Sequence, residues 1–195
     1  PMVASTTGAG LVPHVSETFQ FWLLTTSAAA FFLSLFLGVA VFATAYRHHW
    51  RVEPLPLAAS ASAWIPLGMV GQSTAAAQSV ALQSTYMLLP DYAGSAQDVA
   101  NAYGYFMLVI GVPLVAWATV MTVRGFIGRM PFAPGWWALT FPIGTLALGA
   151  TLLSRGTGIG ALMWLGTFGT LVLVGTVTLC LFASSFSIAR RGICL

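Results

Sequence analysis

The chain contains no lysine, and its four acids, Glu17, Glu53, Asp91 and Asp98, stand against seven arginines, so only 6% of 195 residues are charged. A soluble domain carries about a quarter charged residues. With 58% hydrophobic residues and a mean hydropathy of +0.88, the chain has more apolar surface than a water-soluble fold of this size can hide. It reads as an integral membrane protein. Arg47, Arg51, Arg124, Arg129, Arg155, Arg190 and Arg191 are scattered rather than gathered on one element, which argues against a nucleic-acid partner. The two cysteines, Cys180 and Cys194, have no metal-ligand spacing and read as small apolar residues rather than a disulfide. His14, His48 and His49 fall near loop positions, which removes paired haem ligation. No catalytic triad, carboxylate pair or phosphate loop is present, so neither an enzyme nor a cofactor is read here. The amino end, PMVASTTGAGLV, lacks a basic region and a cleavage site and is not a signal peptide.

What the chain does have is length without charge. Five charge-free windows, Thr18–Tyr46, Pro54–Pro90, Val99–Val123, Met130–Ser154 and Gly156–Ala189, each hold about 25 residues or more, enough to cross a bilayer. The segment before Glu17 is too short to span and reads as the outer half of a further helix. The expected fold is therefore an all-α integral membrane protein of five complete transmembrane helices plus a half helix. Residues 1–195 are then expected to form a single membrane domain, whose start at Pro1 reflects either a trimmed initiator methionine or, in better accord with a half helix, a beginning part-way through a longer protein. If the spans alternate, Arg47, Arg51, Arg124, Arg129, Arg190 and Arg191 share one side, which the positive-inside rule makes cytoplasmic. The carboxyl terminus then lies in the cytoplasm and residues 1–16 lie near the outer face of the cell membrane. Arg155 alone runs against this bias.

Two spans carry special devices. Trp64, Pro66 and Gly68 in the second window, and Trp136, Trp137, Pro142 and Gly144 in the fourth, place tryptophan, proline and glycine in the same order. Proline removes a backbone donor and crowds the preceding turn, so bends are expected at Pro66 and Pro142, the latter opening the helix near Ala138. Freed backbone at membrane depth is tolerated where it is buried in protein or lines an aqueous cavity. Gly68, Gln72, Ala76, Ser79 and Gln83 recur at helical spacing as a narrow polar stripe, and with Ser73, Thr140, Gly144 and Thr145 they are the candidate lining of a solute pathway. The bland alternative is helix-to-helix hydrogen bonding with small-residue packing. Phe141, beside Pro142, is the candidate plug. Pro113, in the third window, marks no pathway, and Trp136 and Trp137 read as interfacial anchors. No ionised or metal-ligating group lies on the stripe.

The runs PMVASTTGAGLVPH from Pro1, WIPLGMVGQSTAAAQS from Trp64 and FAPGWWALTFPIGTLALGA from Phe132 resemble the tellurite-resistance and C4-dicarboxylate transporter family. That family includes the plant slow anion channels and the yeast malate and sulfite transporters. The resemblance covers the family's carboxyl-terminal part, from the end of its fifth helix to its tenth. It implies ten helices in five hairpins around a quasi-fivefold pore, kinked odd helices lining that pore, a homotrimer, and Phe141 as the occluding ring. It also implies transport of small anions, foremost C4-dicarboxylates such as malate. The alternatives are a tellurite-resistance, sulfite or inorganic-anion channel or exporter, or, in another class, a non-transporting truncated remnant or assembly subunit.

Overall fold

The computed structural model describes residues 1–51 and 55–192; Glu53, Pro54 and Cys194, which entered the sequence reading, lie outside the described residues. Among the described residues every regular element is helical. The α-helices are α1 (Met2–Leu11), α2 (Glu17–Arg51), α3 (Ile65–Gln83), α4 (Pro90–Ile127), α5 (Thr140–Thr157) and α6 (Gly160–Gly192). Short 3-10 helices at Leu57–Trp64 and Pro134–Leu139 lead directly into α3 and α5.

The helices form two sets. α1, α3 and α5 are short and run parallel: Gln72 of α3 reaches Thr6 of α1, and Gly68, Gly71 and Gln78 of α3 face successively later residues of α5. α2, α4 and α6 are long and run antiparallel to their inner neighbours. Along the α4 pairing, Trp64 meets Thr122 and Gln78 meets Asn101; along the α6 pairing, Trp137 meets Ser184 and Gly166 meets Thr151. Burial separates the sets as clearly as direction does. Half of the apolar window of Pro134–Thr157 is buried, against 6% for Glu17–His48 and for Gly160–Ala189. The outer helices keep large side chains such as Phe36, Val109 and Phe182 on the surface, as lipid-facing helices must.

Among the described residues, four helices are long and apolar enough to cross a membrane: Glu17–His48, Pro90–Ile127, Pro134–Thr157 and Gly160–Ala189. The fifth span expected from the sequence, 54–90, resolves instead into the 3-10 helix Leu57–Trp64 and the 19-residue α3. α3 is enclosed by α1, α2, α4 and α5, so its surroundings are protein and it can be rich in alanine, glycine, serine and glutamine. A helix packed against four neighbours does not need an apolar stripe.

The two prolines act as helix starters. Pro66 is the second residue of α3 and Pro142 the third of α5, positions where the missing N–H was without an intrahelical partner in any case. The expected opening near Ala138 takes the form of 3-10 winding over Pro134–Leu139, with the Thr140 N–H bonded to the Trp137 carbonyl. α4, by contrast, runs through Pro113 without ending.

The closest approach in the bundle is between α3 and α5. A Cβ at Gly71 would overlap the backbone of Thr145 and Leu146, and one at Gly149 would lie 2.6 Å from the Gly71 carbonyl oxygen. Backbone cannot yield as a side chain can, so Gly71→Ala should force the helices apart and lower stability by about 1–3 kcal/mol. Gly94→Ala, in α4 with nothing within 4 Å of the new methyl, should hold or raise stability. Thermal unfolding of the two variants in detergent checks the contrast.

Candidate functional site

Where α3 and α5 meet, the sequence supplies small residues on both sides, and one aromatic ring closes the crossing. The Phe141 ring lies over Gly68: a Cβ there would sit 3.0 Å from Phe141 Cε1 and 3.7 Å from Pro142 Cγ. Thr145 donates to the Pro142 carbonyl at 2.9 Å and reaches the Gly68 carbonyl at 3.4 Å. The glycine at 68 therefore makes the berth in which the ring rests.

At 3.6 residues per turn, Phe141, Leu148 and Arg155 recur every second turn and share one strip of α5. All three are exposed, Phe141 at 55% and Leu148 at 40%. The opposite strip, with Ile143, Leu146, Ala150 and Leu153, lines an apolar cavity of about 290 Å³ between α4 and α6. Phe141 thus lies on the strip of α5 away from that cavity, exposed and resting beside Gly68 of α3.

The other candidates from the sequence distribute as follows. Gln72 is buried and donates to Thr6 Oγ1 of α1 at 2.8 Å. Ser79 and Gln83 are half-buried farther along α3. Ser73 is fully buried and bonds the Val70 carbonyl of its own helix at 3.3 Å. Thr140 bonds the Trp137 carbonyl at 2.9 Å, and Gly144 packs against Leu173 of α6. Pro66 borders a separate recess of about 170 Å³ with Phe42, Tyr46 and Trp117. The structure brings together Gly68, Phe141, Pro142 and Thr145, with Gln72 toward α1; it turns Ser73, Thr140, Gly144 and Pro66 elsewhere. Among the described residues, no three of His, Cys, Asp and Glu gather as metal ligands would.

Two features escaped the sequence reading. The tryptophans that precede α3 and α5 are tethers as well as aromatic surface: Trp64 Nε1 donates to Thr122 Oγ1 of α4 at 2.9 Å, and Trp137 Nε1 to Ser184 Oγ of α6 at 3.3 Å. Trp136 instead stacks edge-on with Phe126 and Phe132. Both 3-10 necks are thereby fixed to the outer helix of their own hairpin. At the other end lies a network of amides. Gln97 Nε2 donates to Gln78 Oε1 at 2.7 Å, Gln78 Nε2 to Asn101 Oδ1 at 3.1 Å, and Asn101 Nδ2 to the Gly156 carbonyl at 3.1 Å. Gln97 and Asn101 are four residues apart within an apolar helix, and that pairing was the available signal.

Long apolar helices around a short, parallel inner set with small-residue seams fit an integral membrane protein. The family model described as SLAC1, voltage-dependent anion channel, matches residues 1–184. The chain belongs to that family, which agrees with the resemblance carried by its three sequence stretches. The family's members are channels and transporters of anions rather than enzymes. No curated protein and no solved structure matches the chain.

The amide network should hold the end of α5 in place. Asn101→Leu leaves the Gly156 carbonyl and two glutamines short of partners in an apolar setting, so stability should fall by about 1–3 kcal/mol. The check is thermal unfolding in detergent, with exchange of the amides around Gly156 followed in parallel.

Proposed function

We propose that this chain forms part of a transmembrane pathway for small anions, in which Phe141 closes the lane beside Gly68. The observation that carries this reading is the placement of that ring. It is exposed on the strip of α5 that also carries Leu148 and Arg155, backed by a glycine, and seated where the 3-10 neck becomes α-helix. A ring held by contact on one side alone can swing, whereas a ring packed on all sides cannot. The family supports anions as the cargo. Gly68, Gln72, Ser79, Gln83 and Thr145, with the helix starts at Pro66 and Pro142, supply backbone, amide and hydroxyl dipoles. Such groups replace part of a hydration shell without binding an ion tightly. Ser73, Thr140 and Gly144 complete the proposed lining as supports of these walls.

In this reading the inner row α1, α3, α5 is an arc of a quasi-fivefold ring of ten helices, the five spans and half helix being its carboxyl-terminal share, and the complete protein is a homotrimer. Residues 1–195 are one membrane domain. The carboxyl terminus is cytoplasmic and residues 1–16 lie near the outer face, in keeping with the arginines at the end where α3 and α5 begin. C4-dicarboxylates such as malate are the proposed substrates, with sulfite, tellurite-related or other inorganic anions as the competing set. A non-transporting remnant or assembly subunit is the second reading, favoured by the burial of Ser73 and Thr145 in helix contacts.

The test is anion flux through the full-length protein in liposomes. Phe141→Ala should raise chloride or malate efflux severalfold over the unaltered protein. Equal flux from a correctly folded variant removes Phe141 from the gate, and no anion flux from either form supports the non-transporting reading. Competition between malate, sulfite and chloride ranks the substrates.

A further inference from the structure

Arg155 is the one arginine that the sidedness of the others does not explain. The helix directions put it at the bundle end where α3 and α5 finish, with Glu17, Asp91 and Asp98. An anion nearing that end meets three carboxylates and the negative, carbonyl ends of the parallel helices α1, α3 and α5. Arg155 is the only arginine there. It makes no ion pair or side-chain hydrogen bond among the described residues, so its charge is not spent on a neighbour.

Its placement is also specific. Arg155 is exposed and occupies the strip of α5 that carries Leu148 and Phe141, two and four turns earlier. Its backbone is held firmly. The next carbonyl, of Gly156, accepts from Asn101, and a Cβ on Gly156 would collide with Gln78, Gln97 and Asn101. Gly158 then closes the helix at φ 73, returning its N–H to the Ser154 carbonyl at 2.8 Å. We propose that Arg155 is the anion-collecting residue at this mouth of the lane, drawing small anions, dianions more than monoanions, past the carboxylates toward Phe141. This rests on reading the open strip of α5 as the pathway.

A residue that merely balances the end of a helix would affect stability and leave conduction alone. A collecting charge acts through water, so its effect must follow the sign of the charge and fade with salt. In the full-length protein reconstituted in liposomes, Arg155→Glu should lower chloride flux about two- to fivefold at low ionic strength, where the Debye length is about 30 Å. The deficit should be larger for malate and should nearly vanish at about 1 M salt, where the Debye length is about 3 Å. Arg155→Lys should behave as the unaltered protein, and Arg155→Gln should fall between. To separate charge from folding, Arg155→Cys is reconstituted first and then modified: a cationic thiol reagent should restore flux and an anionic one should depress it. Flux indifferent to charge at this position, or a deficit equal at both ionic strengths, overturns the inference while leaving the anion pathway standing. If neither the unaltered protein nor Phe141→Ala passes anions, the pathway itself falls and the role of Arg155 with it.

Discussion

The structure depends on two backbones touching. Gly71 and Gly149 let α3 and α5 approach until the peptide groups themselves are the contact surface, and the Thr145 hydroxyl bridges the seam to the Gly68 carbonyl. In a bilayer there is no hydrophobic drive to bring helices together, so association comes from close packing and from hydrogen bonds between them. The seam supplies both. Its position then determines everything around it: Gly68 comes beneath Phe141, and Gln78 reaches the end of α5 beside Asn101. The strip bearing Phe141 and Leu148 is left exposed.

The outer helices shield this seam without forming it. α2, α4 and α6 hold the inner row through side chains, such as Trp64 on Thr122 and Leu153 against Gly104, and turn large apolar residues outward. Polar groups inside the bundle are largely answered locally. Ser27, Ser34, Thr74 and Thr151 return their hydroxyls to carbonyls one turn back on their own helices. Such back-bonding lets a helix carry hydroxyls at membrane depth without offering them to a solute. It separates the polar residues that pack from the few, Gln72 and Gln78 among them, that bond across a helix boundary.

Much of this was legible in the sequence. The charge-free windows gave the membrane class and the helix number to within one segment, because the length of an apolar run is itself the physical requirement. The window 54–90 was the exception: what surrounds α3 is protein, and composition cannot report a helix's neighbours. The prolines were read as bends, whereas Pro66 and Pro142 stand at the starts of α3 and α5, each preceded by a 3-10 neck whose tryptophan, Trp64 or Trp137, bonds a partner 58 or 47 residues away. The polar stripe was only partly informative. Periodicity put Ser73 near Gln72, but neighbours one position apart on a helix face different partners, and only packing shows which of them bonds α1 and which bonds its own helix. Phe141 stood out because a bulky ring among glycines and threonines has to lie somewhere, and the glycine at 68 is the complement that the sequence did not pair with it.

The tryptophan tethers also say something about how the protein is put together. The hairpin of α3 and α4 and the hairpin of α5 and α6 each carry an internal clasp at the same place, and between them the main bond is the glycine seam rather than the connecting chain. Pro131, in that connection, is exposed. A cut there would leave each hairpin with its own clasp and its own half of the seam, so the two pieces made as separate polypeptides retain what they need to find each other in the bilayer and complement one another.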